Sequence, residues 1–263
     1  MSRISDTFAT LKGRHTPGLV TYVTAGDPDL ATSGAILQTL ARNGADVLEV
    51  GVPFSDPLAD GPVIQRASER ALASGATLRR TLDMIRDLRA SIEAPIVLFT
   101  YVNPILRLGE DVFVAAARSA GIDGVLVLDL PAEEAGALRG RLASAGIDLI
   151  FLLSPTTSDA RIQRSAELGS GFLYVISRLG VTGARQQIAA DAEPLVRRIR
   201  ARSSLPLALG FGVSTPEHVT QIGRWADAAV VGSALVSVIA AHGQSRDLLE
   251  RVGAFTRALK GLS

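Results

Sequence analysis

Short runs of apolar residues recur along the chain at intervals that suit buried β-strands. Eight such runs, rich in leucine and β-branched residues, predict strands at about residues 19–24, 46–51, 95–100, 124–129, 149–153, 171–176, 206–210 and 228–232. The segments between most of them carry apolar residues at helical spacing, for example Leu82, Ile85 and Leu88. Strands and helices therefore alternate, as in α/β proteins with a parallel sheet.

A weak internal repeat supports one recurring unit. ARNGADVLEV, ARSAGIDGVLVLDL, LASAGIDLIFLLS and RWADAAVVGS each read as helix end, small turn residues and strand, and Gly44, Gly121 and Gly146 are predicted helix caps. Strands that are apolar throughout indicate a sheet covered on both faces. The pattern favours a single α/β domain over residues 1–263, a (β/α)8 TIM barrel, with a doubly wound open sheet as the alternative.

Three segments depart from the repeat. Ile4, Phe8 and Leu11 have helical spacing and predict an extra N-terminal helix that covers the barrel floor. The βα loop after strand 2 is predicted to run from Val52 to about Gly75, and the loop after strand 6 reads SRLGVTGARQQIAADAEP. Because βα loops carry the chemistry of such barrels, we expect these two to be lids or recognition surfaces.

The charge balance and the missing residue types exclude several kinds of chemistry. With 27 basic and 26 acidic residues, the chain has no charge excess to hold nucleic acid or an anionic membrane, so a small substrate is expected. It has no cysteine and no long apolar N-terminal run, which predicts a soluble cytoplasmic protein. Only Lys12 and Lys260 are lysines, and three isolated histidines form no metal-ligand pattern. No nucleotide-binding loop motif is present, so neither a metal nor a cofactor is expected.

Acidic residues near the predicted strand ends are candidates for catalysis. Glu49 interrupts the apolar run DVLEVGV, and an apolar wall would raise its pKa towards neutrality, although a structural glutamate paired with a buried arginine is the alternative. Asp56 and Asp60 lie in SDPLADGP, where aspartate is also an ordinary turn residue. Asp129, before Pro131, is expected to support the barrel mouth.

Three small-residue turns late in the chain predict a phosphate site. GVTG (180–183), GFG (210–212) and VGSA (231–234) each follow a predicted strand, and Ser233 precedes the short helix LVSVI. Glycines allow close backbone approach to an anion, and the first amides of a helix attract it. The alternative is that these glycines serve only the geometry of the turns.

Four motifs give the chain a family resemblance. LEVGVPFSDPLADGPVIQ (48–65), TAGDPD (24–29), YVISRLGVTG (174–183) and GFGVSTPEHV (210–219) resemble the alpha chain of tryptophan synthase, and the likeness spans essentially the whole chain. This resemblance implies a cofactor-free lyase of tryptophan biosynthesis. Its reaction would be retro-aldol cleavage of indole-3-glycerol phosphate to indole and glyceraldehyde 3-phosphate.

The resemblance also implies roles for individual residues. Glu49 and Asp60 would be the catalytic pair, and Thr182 would order the loop over Asp60. The substrate's phosphate and its indole ring would be held by two further sets of residues: Gly183, Gly212, Gly232 and Ser233 for the phosphate, and Tyr22, Phe99, Leu126, Tyr174 and Phe211 for the indole.

The family alpha chain works with a beta chain that carries pyridoxal phosphate, in an α2β2 complex. By resemblance, the contact with this partner would include Pro53, Phe54, Asp56, Pro57 and the segment around Asn103 and Pro104. The alternative is that the prolines only stiffen their loops.

At the level of function, a free-standing lyase, a sugar-phosphate isomerase and a catalytically silent regulatory barrel remain as alternatives. FLLSPT in strand 5 lacks an isomerase acid or base, and a silent barrel would be expected to have lost one of the two carboxylates.

Overall fold

Eight parallel strands close into a barrel in sequence order, with β8 pairing back to β1. The computed structural model describes residues 2–176, 188–210 and 212–262, without the side chains of residues 188–191. The strands are β1 (Gly18–Thr24), β2 (Val47–Gly51), β3 (Ile96–Thr100), β4 (Gly124–Val127), β5 (Asp148–Leu153), β6 (Leu173–Ile176), β7 (Leu207–Gly210) and β8 (Ala228–Val231). The predicted barrel is confirmed, and the open sheet is wrong.

Most of the helices lie between consecutive strands and cover the outside of the barrel. The helices are α1 (Arg3–Arg14), α2 (Leu30–Arg42), α3 (Pro62–Ala73), α4 (Leu78–Leu88), α5 (Val102–Leu108), α6 (Glu110–Ser119), α7 (Gly136–Ser144), α8 (Asp159–Leu168), α9 (Ile188–Arg200), α10 (Pro216–Ile222), α11 (Ser233–His242) and α12 (Leu248–Lys260). Helix α1 precedes β1, whereas both α11 and α12 follow β8. Gly44, Gly121 and Gly146 follow the ends of α2, α6 and α7 with positive φ, which confirms them as helix caps. Among the described helices, none is both long and apolar enough to cross a membrane.

The loop after β2 is shorter than the sequence predicted. The predicted loop up to Gly75 is wrong, because α3 begins at Pro62 and occupies most of that stretch. Proline suits the first position of a helix, and Ile64, Ala67 and Ala71 form a buried face at helical spacing. The loop proper is residues 52–61.

The predicted loop after β6 starts outside the described residues, since residues 177–187 are not among them. Its last part is helical: α9 begins at Ile188 and contains Pro194, so the prediction of a loop up to Pro194 is wrong. The run of polar and alanine residues in AADAEP resembles a loop, although alanine and glutamate also favour helices.

The N-terminal helix closes the amino-terminal end of the barrel. Ile4, Phe8 and Leu11 are buried and pack on side chains that fill the barrel interior, as the sequence predicted. The rings of Phe8 and Phe172 lie 5.5 Å apart between centroids. These interior side chains come from seven strands and the residue before β6: Val20, Val47, Val97, Leu126, Ile150, Phe172, Ala208, Ala228 and Val230. The lower half of the barrel is therefore a packed core.

A repeated hydrogen bond joins the strands in pairs at this amino-terminal end. A side chain just before each even-numbered strand accepts a hydrogen bond from a backbone amide at the start of the preceding strand. The donor and acceptor pairs are Leu19 to Asp46 (2.6 Å), Ile96 to Asp123 (2.8 Å), Leu149 to Ser170 (3.1 Å) and Leu207 to Asp227 (2.7 Å). We call these four acceptors the strand braces. Three of them are the aspartates of GAD, GID and WAD, which explains part of the internal repeat in the sequence.

Candidate active site

A cavity of about 490 Å³ opens at the carboxyl ends of the strands. Aromatic side chains from β1, β3 and β6 form one part of its wall, and the start of α11 forms another. The lining residues are Tyr22, Ala59, Asp60, Gly61, Ile64, Phe99, Tyr174, Ile176, Gly210, Gly212, Val213, Ser214, Val230, Gly232, Ser233, Ala234 and Ser237. The cavity therefore combines an apolar slot with backbone amides and hydroxyl groups.

Glu49 lies at the centre of β2 and is fully buried. Val47, on the same face, packs in the barrel interior, whereas Leu48 and Val50 pack against the helices. Neither carboxyl oxygen of Glu49 has a hydrogen-bond partner among the described residues, so the alternative of a structural ion pair has no support there. Burial first, and then the charge of Asp60, raise the pKa of Glu49 to about 8.

The two strands next to β2 place two aromatic rings beside its carboxyl end. Tyr22 is the β1 residue opposite Glu49, and its ring crosses to Gly51, where a Cβ atom would come within 2.1 Å of the tyrosine hydroxyl. The ring of Phe99, from the other neighbouring strand, meets Tyr22 edge-on at 5.3 Å. Glycine at position 51 is thus needed for the close approach of Tyr22.

Asp60 reaches the cavity from the loop 52–61. Its amide donates to the carbonyl of Pro57 (3.0 Å), and its own carbonyl accepts from Gln65 Nε2 (2.9 Å). Its carboxylate Oδ2 accepts a hydrogen bond from the hydroxyl of Tyr101 (3.1 Å). Burial raises the pKa of Asp60 to about 6, and the hydrogen bond from Tyr101 opposes that rise.

The two carboxyl groups therefore differ in charge near pH 7. Glu49, with its pKa raised to about 8, is protonated there, whereas Asp60, with a pKa of about 6, is mostly ionised. Two carboxyl groups whose environments separate their pKa values provide a proton donor and a fixed negative charge in one site. Burial is the larger cause of the raised pKa of Glu49, and the negative charge of Asp60 adds to it.

The other end of the cavity has the features of an anion site. Gly232 is the N-cap of α11, and no side chain caps the amides of its first turn. Ser233 and Ala234 begin the helix, and Gly212 lies nearby on the cavity wall with a φ of 61°. Free helix-terminal amides and glycines can approach a phosphate closely.

Several predicted residues lie elsewhere or outside the described part of the chain. Leu126 is fully buried in the barrel interior rather than on the cavity wall. Asp129 accepts a hydrogen bond from the amide of Val102 (2.7 Å), which supports the start of α5, and Asp56 accepts one from Ser55 (2.5 Å) in an exposed turn. Thr182, Gly183 and Phe211 lie outside the described residues.

Sequence reasoning missed some residues of the cavity and one just behind it. Ser214, Ser237 and Ile64 line the wall, and Tyr101 contacts Asp60 from behind. Ser237 follows Ser233 by one helical turn on α11, so the four-residue spacing was an available signal. Nothing in the sequence alone pairs Tyr101 with Asp60.

The chain matches known proteins over nearly its whole length. Residues 8–262 match the sequence profile of the tryptophan synthase alpha chain family. The tryptophan synthase alpha chain of Citrifermentans bemidjiense is 53% identical over 260 residues, covering 99% of this chain and 97% of that one. The crystal structure of tryptophan synthase subunit alpha from Legionella pneumophila has a TM-score of 0.91 at 39% identity, covering 99% and 98% of the two chains. A structure of Mycobacterium tuberculosis tryptophan synthase also has a TM-score of 0.91, at 36% identity, with 99% and 97% covered.

The barrel, its cavity and these matches define a (β/α)8-barrel lyase. The alpha reaction needs no cofactor of its own, and it cleaves a carbon–carbon bond of indole-3-glycerol phosphate. The chain belongs to the tryptophan synthase alpha chain family, and its place in metabolism is tryptophan biosynthesis.

Proposed function

We propose that this chain cleaves indole-3-glycerol phosphate with Glu49 as the acid and base and with Asp60 as the anionic partner of the indole N–H. The observation that supports this most directly is the separation of the two pKa values, about 8 for the fully buried Glu49 and about 6 for Asp60, which lines the cavity. A protonated Glu49 supplies a proton at neutral pH, and an ionised Asp60 stabilises a positive charge.

The reaction needs an electron sink, because breaking the carbon–carbon bond leaves an electron pair on the indole side. Both lysines are far from the cavity: Lys260 Nζ lies 2.5 Å from Asp46 at the amino end of the barrel, and Lys12 is in α1 at the same end. An imine with lysine is therefore unavailable. The indole ring itself, once protonated, accepts the electrons.

One carboxyl group, that of Glu49, carries both proton transfers of the proposed reaction. Glu49 donates its proton to ring carbon C3, and the positive charge that forms on the indole N–H side is stabilised by Asp60. The ionised Glu49 then takes the proton of the adjacent glyceryl hydroxyl. As that hydroxyl becomes the aldehyde of glyceraldehyde 3-phosphate, the bond to C3 breaks and its electrons neutralise the ring. Indole leaves with the added hydrogen at C3, and Glu49 is protonated again.

The remaining site residues position the substrate in this proposal. Gly212, Gly232 and Ser233 hold the phosphate through backbone amides at the start of α11 and the turn after β7. Tyr22, Phe99 and Tyr174 form the apolar slot for indole, above Leu126 in the barrel core. By family resemblance, Gly183 and Phe211 join these two sets, and Thr182 orders the loop over Asp60.

The catalytic roles are tested by indole release from purified protein. We expect Glu49→Gln and Asp60→Asn each to lower turnover by roughly 10²–10⁴-fold, the usual contribution of a proton-transfer group. Asp83→Asn, at an exposed ion pair on α4, is the control and should match the wild type. Wild-type turnover should fall below about pH 6 as Asp60 is protonated and above about pH 8 as Glu49 is ionised. An alkaline limb that persists in a residually active Glu49→Gln variant would contradict the role of Glu49.

We also propose a beta chain as the partner, with an α2β2 complex in which that chain carries pyridoxal phosphate and receives indole internally. The loop 52–61 offers a docking feature: Leu58 is 94% exposed, and Leu106 on α5 is 56% exposed. Single exposed leucines are common on protein surfaces, so the partner proposal rests on the family, and Leu58 marks where to test it. A free-standing lyase is the alternative, and full turnover without partner would favour it.

We also propose a cytoplasmic location, on the basis of the family and the sequence.

A further inference from the structure

Tyr101 makes three contacts with the loop that carries Asp60. It follows β3 directly, and only 4% of it is exposed. Its hydroxyl accepts a hydrogen bond from the amide of Ala59 (3.1 Å) and donates one to Asp60 Oδ2 (3.1 Å). Its ring packs on Phe54 with 4.9 Å between centroids. One buried side chain thus contacts both ends of the loop 52–61.

The other contacts of this loop hold its backbone and leave the carboxylate of Asp60 untouched. Gln65 Nε2 donates to the carbonyls of Asp60 (2.9 Å) and Pro57 (3.4 Å), and the amide of Asp60 closes a turn on Pro57. Among the described residues, Tyr101 is the only hydrogen-bond donor to the Asp60 carboxylate. An aspartate whose backbone is fixed can still adopt more than one χ1 rotamer, and the hydrogen bond from Tyr101 favours the one observed.

Tyr101 is itself held rigidly. Strand β3 pairs with β2 and β4 on either side, which fixes the backbone just before Tyr101. The amide of Val102, just after it, donates to Asp129 Oδ1 at 2.7 Å. The hydroxyl of Tyr101 therefore extends from the fixed carboxyl end of β3. A side chain on a rigid element positions a reacting group better than one on a loop.

We propose that Tyr101 is the positioning residue of Asp60, which aims the carboxylate at the indole N–H and favours its ionised form. This inference rests on the proposed role of Asp60. A donor to the ionised form keeps the pKa of a buried carboxyl lower than burial alone would, which is the direction of the Tyr101 contribution at Asp60. The hydroxyl of Tyr101 is bonded to Asp60 and to the loop backbone, so its influence on the substrate is through Asp60.

Tyr101→Phe tests the proposal, because it removes the hydroxyl and keeps the ring on Phe54. A lost hydrogen bond to a charged group should lower kcat about tenfold and leave KM for indole-3-glycerol phosphate within about twofold. The acid limb of the pH profile should also move to higher pH, because the pKa of Asp60 rises without its donor. The pKa of Asp60 can also be measured from the ¹³C chemical shift of its carboxyl group, titrated in the folded protein without substrate. The midpoint of that titration should likewise move to higher pH.

Gln65→Met is the matched control, since it removes hydrogen bonds to the loop backbone and leaves the carboxylate contact intact. It should leave the acid limb and the Asp60 titration at their wild-type positions. Wild-type kcat and an unmoved acid limb in Tyr101→Phe, with Asp60→Asn inactive, would overturn the proposal for Tyr101. If Asp60→Asn keeps its turnover, the role of Asp60 itself fails, which is a separate result.

Discussion

Glu49 occupies a position that weakens the fold. A fully buried carboxyl group with no hydrogen-bond partner in the described part of the chain is tolerated mainly in its neutral form. Its pKa rises from 4.5 to about 8, so the folded protein binds a proton that the unfolded chain has already released between these values. Protein stability must therefore fall as the pH rises through that window.

Glu49→Gln should for this reason stabilise the protein at neutral and alkaline pH. The variant should gain up to about 1.4 kcal/mol of unfolding free energy over the wild type for each pH unit between 4.5 and about 8, and little below 4.5. Urea unfolding at a series of pH values measures the difference. Glu250→Gln, at an exposed site on α12, should show no such trend. A constant difference across this pH range would mean that Glu49 is not buried as a neutral acid.

At the scale of single residues, the sequence singled out Glu49 and Asp60 as candidates but did not single out Tyr101. A glutamate in an apolar strand is conspicuous because burial of its charge is costly. A tyrosine at the end of a strand looks like ordinary core. Its contact with Asp60 links residues 41 positions apart and depends on the path of the loop 52–61, which no local pattern encodes.

Helix α3 is the element that carries the loop of Asp60, and it is fixed to the turn after β1. Arg70 donates to both carboxylate oxygens of Asp27, at 2.8 and 2.7 Å, and Ser74 Oγ donates to the carbonyl of Gly26 at 2.9 Å. Only 3% of the Asp27 side chain is exposed. The contacts of Arg70 and Ser74 thus fix the carboxyl-terminal end of α3. Because the helix is rigid, they also fix its start at Pro62, where the loop 52–61 ends.

Arg70→Met should release this anchor. Removing one partner leaves Asp27 buried without its counter-charge, and because Arg70 is itself 38% exposed we expect a loss of about 2 kcal/mol, below the range for fully buried pairs. Thermal or urea unfolding measures it. Arg86→Met is the matched control, since its pairs on α4 are exposed and should contribute less than about 0.5 kcal/mol. Equal losses in the two variants would show that the anchor is no stronger than a surface pair.

Elements were predictable where one physical signal dominated. Strands that are apolar throughout and helix-capping glycines such as Gly44 identify the barrel units with little ambiguity. The start of α3 was mispredicted because Gly61 and Pro62 are typical of both turns and helix starts. The strand braces were visible only as an unexplained repeat, because a side chain such as Asp46 bonds to the neighbouring strand and not to its own.

On the scale of the whole molecule, the two ends of the barrel differ in what they expose. The amino end is closed by α1, whereas the carboxyl end carries the cavity and, beside it, Leu58. Both the cavity and the apolar docking feature are thus on one side of the protein, which favours a partner that covers the mouth.

Leu58→Ser should weaken the binding of a cognate beta chain. Loss of a well-buried apolar contact at an interface typically costs 1–2 kcal/mol, which corresponds to a Kd about tenfold higher. Isothermal titration calorimetry with the purified beta chain measures it. Leu262→Ser removes a leucine that is 51% exposed near the barrel floor, and its Kd should equal that of the wild type. If Leu58→Ser binds as tightly as the wild type, the partner docks elsewhere.

The packed amino-terminal end of the barrel determines the side from which ligands reach the cavity. Within the described residues, α1 and the interior side chains from Val20 to Val230 pack together at the amino end, and the cavity opens at the carboxyl ends of the strands. Substrate entry and indole release are therefore expected at the carboxyl end of the barrel. A partner bound at the carboxyl end would contact released indole before bulk water does. This favoured position of the partner follows from α1, which occupies the other end of the barrel.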